Sequence, residues 1–181
     1  NHSGQIVTKE GGMGVVYRCR VTPRNMEQTY AWIKHVRIDL PSDDELKESL
    51  EERNKEIERE IDIQQMAASI GFAPLVIAKG LFSAKTNEPE FTVFVQSEAV
   101  GISFYDLKDN LDHSQRVEVL THFFKTLQTL HENGIYHCDL DLRHVYWDAD
   151  SQKINIIDWG AGIAKHSEEQ TNAYVKGKLL Y

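Results

Sequence analysis

The sequence predicts an α+β protein built as two lobes with a cleft between them. Three observations carry that prediction. Short runs rich in Val, Ile, Tyr and Trp open the chain, a long amphipathic helix and a hairpin follow, and a second helix then leads into a polar loop and a shorter hairpin.

The elements follow in order. Residues 5–38 read QIVTKEGGMGVVYRCRV, the turn-rich TPRNMEQ, then TYAWIKHVRI. These β-type runs separated by turn residues predict a small antiparallel sheet. Ser42 then opens S-D-D-E, a capping box with Glu45 three residues later, and acidic side chains crowd the first turn, where the helix dipole favours them. The helix places Leu46, Leu50, Ile57, Ile61 and Met66 at roughly helical spacing and stops at Gly71.

PLVIAKGLF and EFTVFVQSEAV flank SAKTNEP as a hairpin, which completes a five-stranded antiparallel sheet with one helix against it. Residues 97–104 read as a hinge, so the lobes divide into residues 1–97 and 98–181. Asp112 caps the second helix, whose apolar stripe is Val117, Leu120, Phe124, Leu127 and Leu130 and whose end is marked by Asn133 and Gly134. A hairpin around DADSQ and a polar tail complete the chain, with no repeats and no low-complexity segment.

Composition narrows the function classes. With 181 residues, 41% of them apolar, the chain can bury a real core. A net charge of −8 with scattered Lys and Arg argues against nucleic-acid binding and against attraction to an anionic membrane. No apolar run approaches the roughly 18–20 residues of a membrane helix. Cys19 and Cys138 are too few for a disulfide scaffold, so the expected setting is reducing and cytoplasmic.

Chemistry concentrates at a few positions. The glycines of G-G-M-G, residues 11–14, can bring backbone N–H groups close to phosphate oxygens, although such a stretch also makes a plain tight hairpin. Lys34 lies in the apolar run AWIKHV, where an unpaired ammonium is costly to bury and demands an anionic partner. Glu56 and Glu60 are one helical turn apart. Glu60, beside the Ile57 and Ile61 stripe, is the preferred partner, the rest of that face being a solvated charge ladder.

HCDLDLRHVYW, residues 137–147, gathers His137, Asp139, Asp141 and His144, and INIIDWG then delivers Asp158 at the end of a buried run. A carboxylate there suits Mg²⁺, and Asp139 can orient a hydroxyl and take its proton. A zinc site from His137, Cys138 and His144 is the rival chemistry, but its spacing matches none of the usual paired-ligand patterns. His113 and His131 read as ordinary surface or satisfied residues, and Trp147 and Trp159 as core.

Taken together these residues resemble the protein kinase-like superfamily through essentially the whole chain. TKEGGMGVVYRC is similar to the glycine-rich nucleotide loop, AWIK to the strand lysine motif, HCDLDLRH to the catalytic loop H-R-D-L-x-x-x-N, and IIDWG to D-F-G, with Glu60 where the helix glutamate is expected. The resemblance implies a bilobal fold whose helical C-terminal lobe is short and incomplete, and ATP with Mg²⁺, or Mn²⁺ in its place. Lys34 would hold phosphates while paired to Glu60, Asp139 would position the acceptor hydroxyl, and Asp158 with His144 would bind metal. Gly11, Gly12, Gly14 and Val16 would border the nucleotide, with Ser97 and Ala99 at the adenine and Gln96 gating the back of the pocket.

The chain also departs from the pattern. Lys9 stands at the first loop glycine, Cys138 replaces an arginine that reads a phosphorylated activation segment, Asp141 replaces a lysine, and His144 replaces the metal-binding Asn. Nitrogen is a poorer match for Mg²⁺ than oxygen. GGMGVVYRC is similar to bacterial serine/threonine kinases, whereas H-x-D-x-x-x-x-H resembles lipopolysaccharide core kinases, which phosphorylate a sugar hydroxyl. Three readings follow: a serine/threonine protein kinase, a sugar or small-molecule kinase, and a pseudokinase that binds nucleotide or a partner. The 82 residues after Ala99 are few for the large lobe of such an enzyme, which favours a truncated chain over a minimal one.

Overall fold

The structure, a computed structural model, describes residues 8–11, 14–21, 29–36, 43–82 and 91–165. Its first part is a five-stranded antiparallel sheet of β1 (Thr8–Gly11), β2 (Gly14–Val21), β3 (Thr29–Val36), β4 (Val76–Phe82) and β5 (Phe91–Ser97), in the order β1-β2-β3-β5-β4. The register sets Val16 and Phe94 on either side of Lys34. Paired residues share a face of the sheet, so Lys34 and Phe94 project together toward the helix that covers it.

That helix, α1 (Asp43–Ser69), buries Ile57, Ile61, Ile63 and Ala67. Its two apolar patches serve different cores. Ile57 and Ile61 meet Phe94 and Val76 under the sheet, while Ile63 and Ala67 join the larger core below. The helix ends where the Gly71 N–H reaches the Ala68 carbonyl and the Phe72 N–H the Ala67 carbonyl, at 2.9 and 3.0 Å. Gly71 has φ +87°, a conformation that side chains resist, which explains the stop. The Ser42 cap and the SAKTNEP turn lie outside the described residues.

The second part opens with β6 (Ile102–Ser103) and the single-turn α2 (Phe104–Leu107), where the Ser103 hydroxyl accepts from the Asp106 N–H. Next comes α3 (His113–Glu132), capped by a reciprocal box. The Gln115 N–H donates to Asp112 Oδ1 at 2.8 Å, and the Asp112 N–H to Gln115 Oε1 at 2.9 Å. The short strands β7 (Ile135–Tyr136), β8 (Val145–Asp148), β9 (Lys153–Ile156) and β10 (Ile163–Ala164) form a β6-β8-β9 sheet and a β7-β10 pair. The predicted hairpin around DADSQ is the β8-β9 connection. Trp147 and Trp159 are core residues, as read from the sequence.

One expectation fails in part. Of the stripe assigned to α3, Leu130 is buried and Leu127 packs against the core as expected, but Val117, Leu120 and Phe124 are 52%, 46% and 63% exposed, and Val119, Thr126 and Phe123 turn to the core in their place. The expected and observed faces differ by about 80° around the helix and merge in its last turns.

A paired test follows from the backbone. Gly101 has φ +100°, and a Cβ built there meets the Trp147 carbonyl oxygen at 2.2 Å, whereas nothing lies within 4 Å of one built at Gly80. Gly101→Ala is expected to cost at least about 1–3 kcal/mol in urea unfolding, and Gly80→Ala to stay within about 0.5 kcal/mol.

Candidate active site

Lys34 of β3 is the centre of the site. Its Nζ lies 2.6 Å from Glu60 Oε1 of α1 and 2.7 Å from Asp158 Oδ1, which follows β9. Lys34 and Glu60 are largely buried, with side-chain exposures of 19% and 7%, while Asp158 stays open at 44%. Burial opposes the Lys34 ammonium, but the Glu60 and Asp158 carboxylates outweigh it and hold the group above its ordinary value. Burial drives the Glu60 carboxyl up despite the Lys34 contact. It pushes the same way on Asp158, where Lys34 prevails and keeps the group below its ordinary value. Glu56 points elsewhere, to Arg53.

Asp158 reaches Lys34 from a left-handed backbone, φ 65° and ψ 66°, and Cys138 beside Asp139 has φ 63°. Non-glycine residues at such angles persist only where their surroundings over-determine them, and here one stands beside Asp139 and the other is Asp158 itself. Part of the restraint is His137, which is 3% exposed. Its Nε2 lies 2.8 Å from the Ile157 carbonyl, so that nitrogen carries the proton, and its Nδ1 accepts from the Asp139 N–H at 3.3 Å. The ring also meets Trp159 edge-on at 4.7 Å. One buried imidazole thus ties the Asp139 segment to the Asp158 segment.

His144 lies at the other end of the loop. Its N–H donates to the Asp141 carbonyl and its carbonyl accepts from the Ile157 N–H, each at 2.9 Å. Nδ1 sits 3.0 Å from the Asp139 carbonyl, and Nε2 faces Asp158 Oδ2 at 3.6 Å. An imidazole nitrogen and a carboxylate oxygen therefore converge, a donor set that suits a divalent cation whose other ligands are water and phosphate oxygens. The zinc alternative has no such convergence, because Cys138 is exposed with Sγ toward the Tyr136 carbonyl, and no three-ligand cluster occurs among the described residues.

The other expected site residues are placed as follows. Gly11 pairs with Gly14 at the β1-β2 hairpin, and half-buried Val16 lies opposite Lys34, while Gly12 lies outside the described residues. The Ser97 N–H donates to the Leu75 carbonyl and its Oγ accepts from the Leu75 N–H, so its backbone donor is already engaged. Ala99 follows in irregular backbone. The activation-segment candidates Ser167, Thr171 and Tyr174 lie outside the described residues.

Two residues matter that sequence reasoning passed over. Arg143 grips Asp141 through Nε to Oδ1 at 2.7 Å and Nη2 to Oδ2 at 3.1 Å, which holds that carboxyl down at about 2. The negative charge that Asp141 brings in place of a lysine is thereby compensated, and the i+2 spacing of Asp and Arg was the available signal. Gln64, fully buried, donates from Nε2 to Gln96 Oε1 at 2.7 Å and to the Pro74 carbonyl at 3.0 Å. Its signal was an amide four residues after Glu60 on the same helix face.

The Protein kinase domain family matches residues 8–180, and the chain belongs to that family. Membership brings ATP as phosphoryl donor, divalent metal and a hydroxyl-bearing acceptor as the general chemistry of the fold. None of the curated proteins compared matches the chain. No helix among the described residues is long and apolar enough to cross a membrane.

Two outcomes test the packing of the site. Gln64→Leu strands the buried Gln96 Oε1 and should cost about 1–3 kcal/mol, part of which the double variant with Gln96→Leu recovers. Burial holds the His137 imidazole below its ordinary 6.5. On acidification the unfolded chain therefore takes up this proton first, so the stability His137 confers is complete above pH 6.5 and declines below it, by up to about 1.4 kcal/mol per pH unit. Urea denaturation at pH 7.5 and 5.5 should show the gap between wild type and His137→Asn narrowing at the lower pH.

Proposed function

We propose that the chain is an ATP-dependent protein serine/threonine kinase using Mg²⁺ or Mn²⁺, with a nucleotide-binding lobe over residues 1–97 and the remaining site groups in residues 98–181. The observation that carries this reading is the double ion pair of Lys34 with Glu60 and Asp158, at 2.6 and 2.7 Å. A buried ammonium held between two carboxylates is poised to exchange one of them for phosphate oxygens, which offer the same charge in the same place.

In this reading Lys34 neutralises phosphate charge while Glu60 holds it in position. Gly11, Gly12, Gly14, Val16, Ser97 and Ala99 border the nucleotide, and Asp158 with His144 hold the metal. The bound metal–nucleotide supplies the transferable phosphoryl group and screens its charge. Asp139 orients the acceptor hydroxyl and takes its proton, as a carboxylate with no ion pair among the described residues, its N–H anchored on His137. The serine/threonine preference rests on the similarity of GGMGVVYRC to that class. A sugar hydroxyl is the competing acceptor, supported by His144 in the loop.

Transfer of labelled γ-phosphate, with a generic protein and with lipopolysaccharide core sugars as acceptors, tests the reading. Wild type should label the protein, and Lys34→Met, Asp139→Ala and Asp158→Ala should each lower the rate at least about 100-fold. Labelling confined to the sugars would move the reading to a sugar kinase. No labelling alongside retained ATP binding would move it to a pseudokinase.

A further inference from the structure

The site's lower edge differs from an all-oxygen magnesium site in the chemistry of its donors. The Asp139 carbonyl can only accept, so His144 Nδ1, 3.0 Å away, carries the ring's proton in the neutral tautomer. Nε2 is then left with a lone pair. It faces Asp158 Oδ2 at 3.6 Å, too far for a hydrogen bond, so neither atom uses up the other.

The arrangement is held rigidly. His144 is fixed by backbone bonds on both sides, to Asp141 and Ile157, and its side chain is 18% exposed. Asp158 is anchored through Oδ1 by Lys34 and remains 44% exposed. The opening therefore lies on the carboxylate side, where water and phosphate oxygens can complete a coordination sphere.

Building on the kinase reading above, we infer that His144 tunes the metal site toward Mn²⁺ and against Mg²⁺. Mg²⁺ takes oxygen ligands and gives up water reluctantly, whereas first-row transition ions accept imidazole nitrogen, with affinity rising from Mn²⁺ along the series. Mn²⁺ combines tolerance of nitrogen with good affinity for the phosphate and water oxygens that must supply the other ligands.

The test uses the whole chain loaded with an ATP analogue whose γ-phosphate cannot be transferred, so its readout does not depend on activity. Calorimetric titration with Mn²⁺ and with Mg²⁺ gives the affinity ratio of the two ions, which is compared with the ratio for the free analogue. Wild type should favour Mn²⁺ at least about tenfold more than the free analogue does, and His144→Asn should return to the analogue's own ratio. Pulsed electron paramagnetic resonance of the Mn²⁺-loaded protein should show a directly bound nitrogen in wild type and none in His144→Asn. Equal ratios in the two proteins, or no nitrogen signal in wild type, overturn the inference and leave the kinase reading standing. Metal affinities no tighter than those of the free analogue in both proteins overturn the inference and the proposed metal role of Asp158 together.

Discussion

A single buried ammonium joins three segments that are far apart in sequence. Lys34 Nζ meets Glu60 of α1 and Asp158 after β9, and removing either carboxylate leaves the charge short of compensation where water cannot easily replace it. The ion pair matters because the apolar seam between α1 and the sheet is small among the described residues. That seam is Ile57, Ile61 and Phe94 with Val76, against a lower core of 12 buried residues. Polar ties add to it, among them the Thr92 N–H to Asn54 Oδ1 at 2.7 Å, Lys34 to Glu60, and Gln64 to Gln96. These lie along one face of the helix, and directional bonds fix rotation and axial register in a way that a small apolar patch cannot.

The lower half of the cleft is ordered by a neutral group. His137 donates to the Ile157 carbonyl and accepts from the Asp139 N–H, so its tautomer is set by two backbone bonds and its burial keeps it uncharged. Trp159, fully buried, packs against the ring and donates its indole N–H to the Ile156 carbonyl. The positive-φ residues Cys138 and Asp158 follow directly on segments so restrained. Their strain is local. It is sustained by a core that includes Ile135, Val145, Ile154 and Ile156.

Much of this was legible in the sequence where one physical demand had few solutions. A lysine in an apolar strand requires an acid, and helical spacing favoured Glu60 over Glu56. The Asp112 cap, the Gly71 stop and the two hairpins were legible because each rests on a local backbone rule. The face of α3 was not, since apolar residues wind around that helix and periodicity alone does not say which neighbour covers it. Leu127 and Leu130 were placed correctly, but Val117, Leu120 and Phe124 also made a plausible stripe, and the core closes on Val119, Phe123 and Thr126 in their place. Gln64 escaped notice for a related reason: an amide in a helix reads as solvated until an acceptor such as Gln96 is known to lie opposite.

The altered catalytic loop makes better sense as a redistribution of charge than as a set of losses. Asp141 would burden a phosphate site, but its bidentate pairing with Arg143 turns that negative charge into a closed pair directed at solvent. Asp158 is matched by Lys34, so among these three acids Asp139 alone is left without an ion pair among the described residues. A carboxylate so placed is not committed to a cation, which is what the proposed reading asks of Asp139. His144 fits the same division of roles. By bonding the Asp139 carbonyl through Nδ1 it holds the backbone of the unpaired carboxylate, and by turning Nε2 toward Asp158 it brings an imidazole nitrogen beside the paired one. One side chain thus links the group suited to receive the proton with the group suited to hold the metal.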